Sequence, residues 1–312
     1  MMTGAIDIGG TKIAVGLVEE GGRVAARAVM PTRAEGGFET AMEGVAALLA
    51  RLLAETGCSL DGIGIGSTGP VDPVTGAFGN VPFFPQWEYS NPVVFLSQRF
   101  GVGAAVENDA DAGALAEAVW GAARNHARVL FVTVGTGIGV GIVLDGTVYR
   151  GAGGAHPEIG HQVVDASGPV CDCGARGCWE ALAAGPGISN WFRVHAPGGA
   201  EAGLHTHQIC ERARAGDEWA SRAVERGAFF LGLGLANLVN IFVPDAIVLG
   251  GSVMRSADLF LDTVAGTIRD NCRLVPYERT HVAVSTLGAD VGLIGAAEVW
   301  HSRQRKTGAV FA

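Results

Sequence analysis

Residues 5–18 read AIDIGGTKIAVGLV, which is a β run ending at Ile8, a glycine turn and a second β run from Ile13. The same order of strand, Gly/Thr-rich turn and returning strand occurs in VLFVTVGTGIGVGIVL at 129–144. Around these two segments, stretches with strand and helix periodicity alternate along the whole chain, which is typical of the α/β class. We therefore predict two related α/β domains, each presenting a glycine turn, with a cleft between them.

The bulk composition excludes several classes of protein. The chain has 312 residues, enough for two domains with their own cores, and its 48% hydrophobic residues are typical of a folded globular protein. A formal net charge of -9 disfavours binding to nucleic acid or to an anionic membrane. No basic segment precedes the first strand, so we predict no signal peptide and expect a cytoplasmic protein.

The segment EIGHQVVDASGPVCDCGARGCWE at 158–180 has the spacing of a metal site. One imidazole and three thiols make a closed tetrahedral zinc set, which leaves no coordination position for water or substrate. We therefore predict a structural Zn²⁺ rather than a catalytic one. The predicted ligands are His161, Cys171, Cys173 and Cys178.

Three glycine turns follow predicted strands, and glycine lets backbone N–H groups approach an anion closely. The predicted phosphate-binding turns are Gly9-Gly10-Thr11-Lys12, Gly135-Thr136-Gly137 and Gly250-Gly251. Neither a P-loop nor a Rossmann fingerprint fits these residues, so backbone amides, Thr hydroxyls, Lys12 and a divalent ion would hold a nucleotide triphosphate. Asp7 is the predicted Mg²⁺ contact. The alternatives left open are plain hairpin turns, and an Asp7 that only caps its turn.

Asn108 and Asp109 lie where a predicted strand meets a predicted helix, the end of a sheet at which α/β proteins bind ligands. An ionised Asp109 is able to take the proton of a hydroxyl nucleophile during phosphoryl transfer. The alternative is that the pair only caps the helix. Polar side chains suited to a polyol are Asn80, Asn108, Glu158, His161 and Glu180. For His161 the second ring nitrogen donates either to a sugar hydroxyl or to a backbone carbonyl.

Taken together, the motifs resemble those of the ROK family of sugar kinases and related repressors. The resemblance rests on DIGGTK at 7–12, ENDAD at 107–111, VGTGIGVGIVLDGTVYRGAGGAHPEIGH at 134–161, CDCGARGCWEALAAG at 171–185 and LANLVNIFVPDAIVLGGSV at 235–253. The family resemblance implies the actin-like, ribonuclease-H-like pair of α/β domains. A small domain would comprise 1–115 plus 294–312, and a large one 116–293. Homodimers or homotetramers are expected.

The same resemblance makes Asp109 the general base, makes Asn108, Glu158, His161 and Glu180 sugar contacts, and makes the Cys/His set the zinc ligands. Asn80 lies in NVPFFPQW, which is similar to a loop lining the sugar pocket of the family. Our first hypothesis is an ATP-dependent kinase for the 6-hydroxyl of a hexose, with glucose as the first candidate. The second is an N-acetylglucosamine or N-acetylmannosamine kinase. A sugar-responsive repressor is disfavoured, because no helix-turn-helix precedes the first predicted strand.

Overall fold

The computed structural model describes residues 1–32, 34–81, 84, 86–197 and 203–308, without the side chains of Ala34 and 306–308. The described chain forms two compact units. The first unit contains 1–127, 141–157 and 286–312, and the second contains 128–140 and 158–285. Within the described ranges, no helix is long and apolar enough to cross a membrane.

Ten strands and nine α-helices make up the regular structure of the described residues. The strands are β1 (Met2–Ile8), β2 (Lys12–Val18), β3 (Val24–Pro31), β4 (Leu60–Ser67), β5 (Ala104–Asn108), β6 (Arg128–Val134), β7 (Ile138–Leu144), β8 (Thr147–Val148), β9 (Ala246–Gly250) and β10 (His281–Val284). The helices are α1 (Gly37–Thr56), α2 (Pro92–Phe100), α3 (Asp109–Val119), α4 (Trp179–Ala183), α5 (Gly185–His195), α6 (Thr206–Arg214), α7 (Glu218–Phe242), α8 (Leu261–Asn271) and α9 (Val291–Gly308).

The sheet of the first unit has the order β3-β2-β1-β4-β5. β1, β2 and β3 form an antiparallel meander, while β4 and β5 run parallel to β1. Side chains of β1 and β2 such as Ile6, Ile13 and Leu17 are fully buried, because both faces of these strands are covered. On this sheet pack α1, which buries Met42 and Leu49, and α9. The strand-turn-strand prediction for 5–18 is confirmed.

The second sheet has the order β10-β9-β6-β7-β8. β9 runs parallel to both β6 and β10, and β8 is antiparallel to β7. The division into compact units passes through β7, after Val140. The long helix α7 contacts α8, α6, α5 and α4. Two sheets with packed helices confirm the predicted α/β class.

Some elements were missed from the sequence. Asn91 accepts a hydrogen bond from the Val94 N–H at 2.9 Å, Pro92 is the first helical residue, and Gly101 ends the helix with a φ of 67°. These are ordinary helix start and stop residues, so the sequence of α2 does carry a helix signal. β3 is an edge strand rich in alanine and only partly buried, so its pattern is weak.

The predicted division into functional domains differs from the compact units in three segments. The compact units place 116–127, 141–157 and 286–293 in the first unit. The sequence-based division put these segments in the large domain. As a statement about functional domains, the sequence-based division stays a prediction.

Candidate active site

The parallel strands of the first sheet bring the predicted acidic residues to one edge. β1, β4 and β5 end together, with Ile8 paired to Ser67 and Ser67 paired to Asn108. Asp7 lies one residue before the end of β1, and Asp109 follows directly after β5. The structure therefore brings Asp7, Asn108 and Asp109 to the carboxyl end of the sheet, where α/β folds bind ligands.

Asn108 and Asp109 have different roles in starting α3. Asn108 is the N-cap, and its Oδ1 accepts from the Ala110 N–H at 2.8 Å and from the Asp111 N–H at 3.4 Å. Asp109 is the first helical residue, and its Oδ1 also accepts from the Ala110 N–H at 2.8 Å. The cap that the sequence suggested is therefore present, but Asn108 supplies it. The second oxygen of Asp109 is not used by the helix start.

Burial dominates the electrostatics of Asp109. It raises the pKa of this carboxyl group, and the charge of Asp111 raises it further. The Ala110 N–H and the nearby His156 lower the pKa, but their effect is smaller than that of burial. A carboxylate with a raised pKa at a ligand-binding sheet edge is suited to proton transfer.

Asp7 is a second perturbed carboxyl group. Burial and the negative charge of Asp109 raise its pKa to about 7, while Lys12 opposes the shift. α9 begins close to it, since a Cβ at Gly292 would overlap Asp7 Oδ2. The positive end of a helix favours negative charge nearby. A divalent cation would relieve the repulsion between Asp7 and Asp109, so this donor set fits Mg²⁺.

Two side-chain contacts, one an ion pair and one between a histidine and an aspartate, support this edge and were missed from the sequence. His156 Nδ1 lies 2.9 Å from Asp111 Oδ2, and the Asp111 side chain is 2% exposed. Arg150 Nη2 contacts Glu107 Oε1, which lies two residues before Asp109. Both acidic partners lie within the ENDAD segment. The ENDAD segment was visible in the sequence. Its partners Arg150 and His156 lie about 40 residues further along the chain, and nothing in the sequence indicates that they pair with it.

The Gly9–Lys12 turn is tied down through its backbone. Gly9 N–H donates to Lys12 O at 3.0 Å, and Thr32 Oγ1 donates to Gly9 O at 2.7 Å. Thr11 O accepts from Thr32 N–H at 3.1 Å. Gly10, Thr11 and Lys12 are exposed. The turn is thus fixed at its carbonyls while the groups predicted to hold phosphate remain accessible.

Asn80 is exposed in the connection between β4 and α2. The neighbouring aromatic rings Phe78, Phe84 and Trp87 pack against each other, with Phe84 stacked on Trp87 at 4.5 Å between ring centroids. Pro82, Phe83 and Pro85 of the predicted sugar loop lie outside the described residues. The sugar contact of Asn80 stays a prediction.

In the second unit, the other two glycine turns are neighbours. Thr133 near the end of β6 is paired to Gly250 at the end of β9. A Cβ at Gly251, whose φ is 89°, would overlap the backbone of Val134, and a Cβ at Gly135 would lie 3.4 Å from Ser252 Oγ. The ends of these two parallel strands therefore bring Gly135–Gly137 and Gly250–Gly251 together, as a phosphate site would require.

The four predicted zinc ligands converge. The ligating atoms of His161, Cys171, Cys173 and Cys178 all lie within 4.8 Å of one another. His161 Nδ1 lies 3.6 Å from Cys171 Sγ, and Cys173 Sγ lies 3.6 Å from Cys178 Sγ. Three sulfurs and one imidazole nitrogen at this spacing fit a tetrahedral zinc ion. This Cys/His loop, residues 158–180, is short of regular structure, with one 3-10 turn (Ile159–His161) and isolated bridges.

Of the predicted sugar contacts in the second unit, Glu158 and Glu180 lie at the two ends of the Cys/His loop, and His161 is one of the four clustered residues. Glu158 is exposed and precedes the 3-10 turn, and its carbonyl accepts from the His161 N–H at 3.1 Å. Among the described residues, no protein atom hydrogen-bonds to His161 Nε2, so that nitrogen is available to a ligand. Glu180 Oε2 accepts from the Ile138 N–H at 2.8 Å.

Solved structures share this fold. A ROK hexokinase from Thermus thermophilus is 35% identical, with a TM-score of 0.85 over 98% of this chain and 100% of that chain. A ROK family glucokinase from Streptomyces griseus, solved in complex with glucose and AMPPNP, is 32% identical, with a TM-score of 0.82 over 97% of this chain and 100% of that chain. The fold and the residues described above define a sugar kinase with the actin-like α/β fold.

Sequence relatives identify the family. The ROK family model matches residues 3–303, and this chain belongs to the ROK family. A glucokinase from Thermotoga maritima is 32% identical over 96% of both chains. An N-acetylmannosamine kinase from Escherichia fergusonii is 36% identical over 81% of this chain and 84% of that protein. A xylose repressor from Bacillus spizizenii is 31% identical over 77% of this chain but 61% of its own length.

Proposed function

We propose that this ATP-dependent sugar kinase transfers the terminal phosphoryl group of ATP to the 6-hydroxyl of a hexose, with glucose as the first candidate. The observation that carries the proposal is Asp109, a carboxylate with a raised pKa at the carboxyl end of β5. The relatives named glucokinase, and the Streptomyces griseus structure with glucose and AMPPNP, support the same substrates.

In this proposal Asp109 accepts the proton of the 6-hydroxyl as the oxygen attacks the terminal phosphorus. The bond from that phosphorus to the bridging oxygen breaks, and ADP leaves. Asp7 would hold Mg²⁺, which when bound neutralises charge on the phosphates. The backbone N–H groups of the three glycine turns, the Thr11 and Thr136 hydroxyls and Lys12 would bind the phosphate oxygens.

Sugar recognition is assigned to hydroxyl contacts with Asn80, Asn108, Glu158, His161 and Glu180. Carboxylates and an imidazole N–H form charge-assisted or directional hydrogen bonds that discriminate among hydroxyl arrangements. We propose that the Cys/His loop holds a structural zinc ion, which fixes His161 within this set. With four protein donors around it, the ion would have no position for a substrate.

ADP release measured across glucose, mannose, fructose, allose, N-acetylglucosamine and N-acetylmannosamine tests the proposal. We expect the highest kcat/KM with glucose. ADP release that stays at the sugar-free background for all six sugars would overturn the assignment as a hexose kinase, and the repressor hypothesis would then become the leading one.

A second candidate is an N-acetylhexosamine kinase. The relative from Escherichia fergusonii, 36% identical and named an N-acetylmannosamine kinase, favours it. This activity would use every residue assigned above, so the sequence motifs do not separate it from a glucokinase. The same panel does, because a highest kcat/KM with an N-acetylated sugar would replace glucose as the substrate.

A further inference from the structure

Glu180 connects the Cys/His loop to the Gly135–Gly137 turn. Its Oε2 accepts a hydrogen bond from the Ile138 N–H at 2.8 Å, and Ile138 is the residue that follows the turn. The approach is close, because a Cβ at Gly137 would overlap this carboxylate oxygen. The side chain predicted to contact sugar therefore also holds a glycine turn predicted to contact phosphate.

The other end of the turn is held by the same segment of chain. Gly185 N–H donates to Gly135 O at 2.8 Å, and Ala184 N–H donates to Glu180 O at 3.0 Å. Residues 180–185 thus bind the turn on both sides, through one side-chain oxygen and one backbone N–H. Within the turn, Gly135 N–H donates to Gly137 O at 2.9 Å.

Glu180 is itself placed by the metal-binding part of the loop. It follows Cys178 by two residues, and Trp179 between them is fully buried. Trp179 N–H donates to Gln162 O at 2.8 Å, and Gln162 follows His161. The Trp179 ring packs so closely on α7 that a Cβ at Gly234 would overlap it. The segment carrying Glu180 therefore follows Cys178 directly and is fixed by a hydrogen bond to the residue after His161 and by a buried ring.

We propose that Glu180 is a positioning residue for the nucleotide, holding the Gly135–Gly137 turn in the conformation that receives a phosphate and tying that conformation to an ordered Cys/His loop. This inference rests on the proposed function, in which the turn binds ATP. Glu180 Oε1 makes no hydrogen bond among the described residues, so one oxygen serves the turn and the other is open to a sugar hydroxyl.

The test is the affinity for MgADP, measured by titration calorimetry without sugar, so that a lost sugar contact does not contribute. Glu180→Ala removes the acceptor of the Ile138 N–H, and we expect MgADP to bind about tenfold more weakly, as for one charge-assisted hydrogen bond. Glu180→Gln keeps an oxygen acceptor and should stay within about threefold. Glu225→Ala is the matched control, because that exposed carboxylate lies on α7 and has no role in the proposed site, and its MgADP affinity should be unchanged.

Hydrogen exchange and metal content give independent readings. We expect faster exchange of the Ile138 amide in Glu180→Ala, with zinc retained. An unchanged MgADP affinity in Glu180→Ala, an equal loss in Glu180→Gln, or loss of zinc together with MgADP binding would each contradict a local positioning role. If the unsubstituted protein bound no MgADP, the nucleotide assignment of the proposed function would fail, and this inference with it.

Discussion

Different interactions stabilise two regions of the molecule. One is the sheet edge that carries Asp7 and Asp109, and the other is the Cys/His loop at 158–180. At the sheet edge, paired strands and a capped helix fix the backbone, and the reactive carboxylates project from a frame built by hydrogen bonds. In the loop, helices and strands are sparse, turn hydrogen bonds such as Cys171 N–H to Ala175 O hold the backbone, and four potential ligating atoms lie within 4.8 Å of one another. The first region is organised by strand pairing and helix capping, whereas for the second we propose that a metal ion completes the structure.

This difference has an energetic consequence. The frame of the sheet edge is stable enough to hold two neighbouring carboxylates whose pKa values are raised by burial, which disfavours their ionised forms. In the Cys/His loop, the same clustering of donors favours binding of a cation. Removing a side chain from the sheet edge should therefore change chemistry more than folding, whereas removing a donor from the loop should change folding first.

The largest effect is expected from Cys173→Ser, which removes one of the four metal donors. Structural zinc contributes on the order of 10 kcal/mol in small peptides, so losing it should disorder the loop. Metal analysis should show less than one equivalent of zinc, hydrogen exchange should rise across 158–180, and kinase activity should fall. Amides of β1 and β5 should keep their protection. Full activity in metal-free protein would show that the loop does not need its ligand.

Asp109→Asn is expected to have the next largest effect. In contrast to Cys173→Ser, it should impair catalysis and leave the fold intact. Removing the general base should lower kcat by roughly 10²–10⁴-fold. Because Asn108 caps α3 and the ionised form of Asp109 is disfavoured by burial, the melting temperature should not fall. Steady-state ADP release and equilibrium sugar binding measure the two properties separately. A variant with near-normal kcat would exclude Asp109 as the base, and a variant that unfolds would show that the sheet edge is less self-sufficient than its hydrogen bonds suggest.

The two regions also differ in how well the sequence predicts them. The four residues of the Cys/His cluster could be named from the sequence, because spacing and donor type are local and specific; the structure brings their donor atoms within 4.8 Å, and zinc binding stays a prediction. Asp7, Asn108 and Asp109 were placed at strand ends, and parallel pairing brings them to one edge as expected. The side-chain partners of the neighbouring Glu107 and Asp111 were not predictable, since His156 is 45 residues from Asp111 in sequence, and only the folded chain brings them together.

Within the loop, the sequence predicts a sugar contact for Glu180, and the structure shows a further contact, to the Ile138 N–H. The position of this carboxylate beside the Cys/His cluster suggests a sugar contact. Nothing in the sequence indicates that Glu180 accepts a hydrogen bond from the Ile138 N–H, 42 residues earlier in the chain. Helix α2 was missed for another reason. Its capping residues Asn91 and Gly101 are local signals, and the helix is only nine residues long, so its apolar periodicity is short.

Asp7→Asn tests whether the buried carboxylate at the sheet edge lowers the free energy of unfolding. The folded pKa of Asp7, about 7, lies above the usual value for Asp, so the ionised form is unfavourable in the folded state. Native stability therefore falls as pH rises from about 4 to 7, and the Asn variant avoids that loss. We expect the variant to be more stable by about 2 kcal/mol at pH 8 without magnesium, allowing for partial exposure, and the difference to vanish below pH 4. Denaturant unfolding at both pH values measures it, and equal stability at pH 8 would contradict the raised pKa.

His156→Ala is expected to shift the pH dependence of the same region by a smaller amount. His156 lowers the pKa of Asp109, so its removal should raise that pKa further. A base must be ionised, and the acidic limb of the kcat profile should then move to higher pH. His195→Ala is the matched control, since His195 stacks on Trp191 in the second unit. A limb that stays in place or moves to lower pH would remove His156 from this role.

The smallest effect is expected from Gly174→Ala in the loop, compared with Gly177→Ala. Both glycines have positive φ, 87° and 73°, but only at Gly177 would a Cβ overlap another group, the Asp165 carbonyl. Gly174→Ala should cost about 1 kcal/mol of backbone strain with zinc retained. Gly177→Ala should cost more and weaken zinc binding, because the loop must move to admit the methyl group. Metal titration and thermal unfolding compare the two variants. If they lose equal stability and both retain zinc, the turns around the cluster move easily enough to admit the methyl group. The metal alone would then determine the shape of the loop.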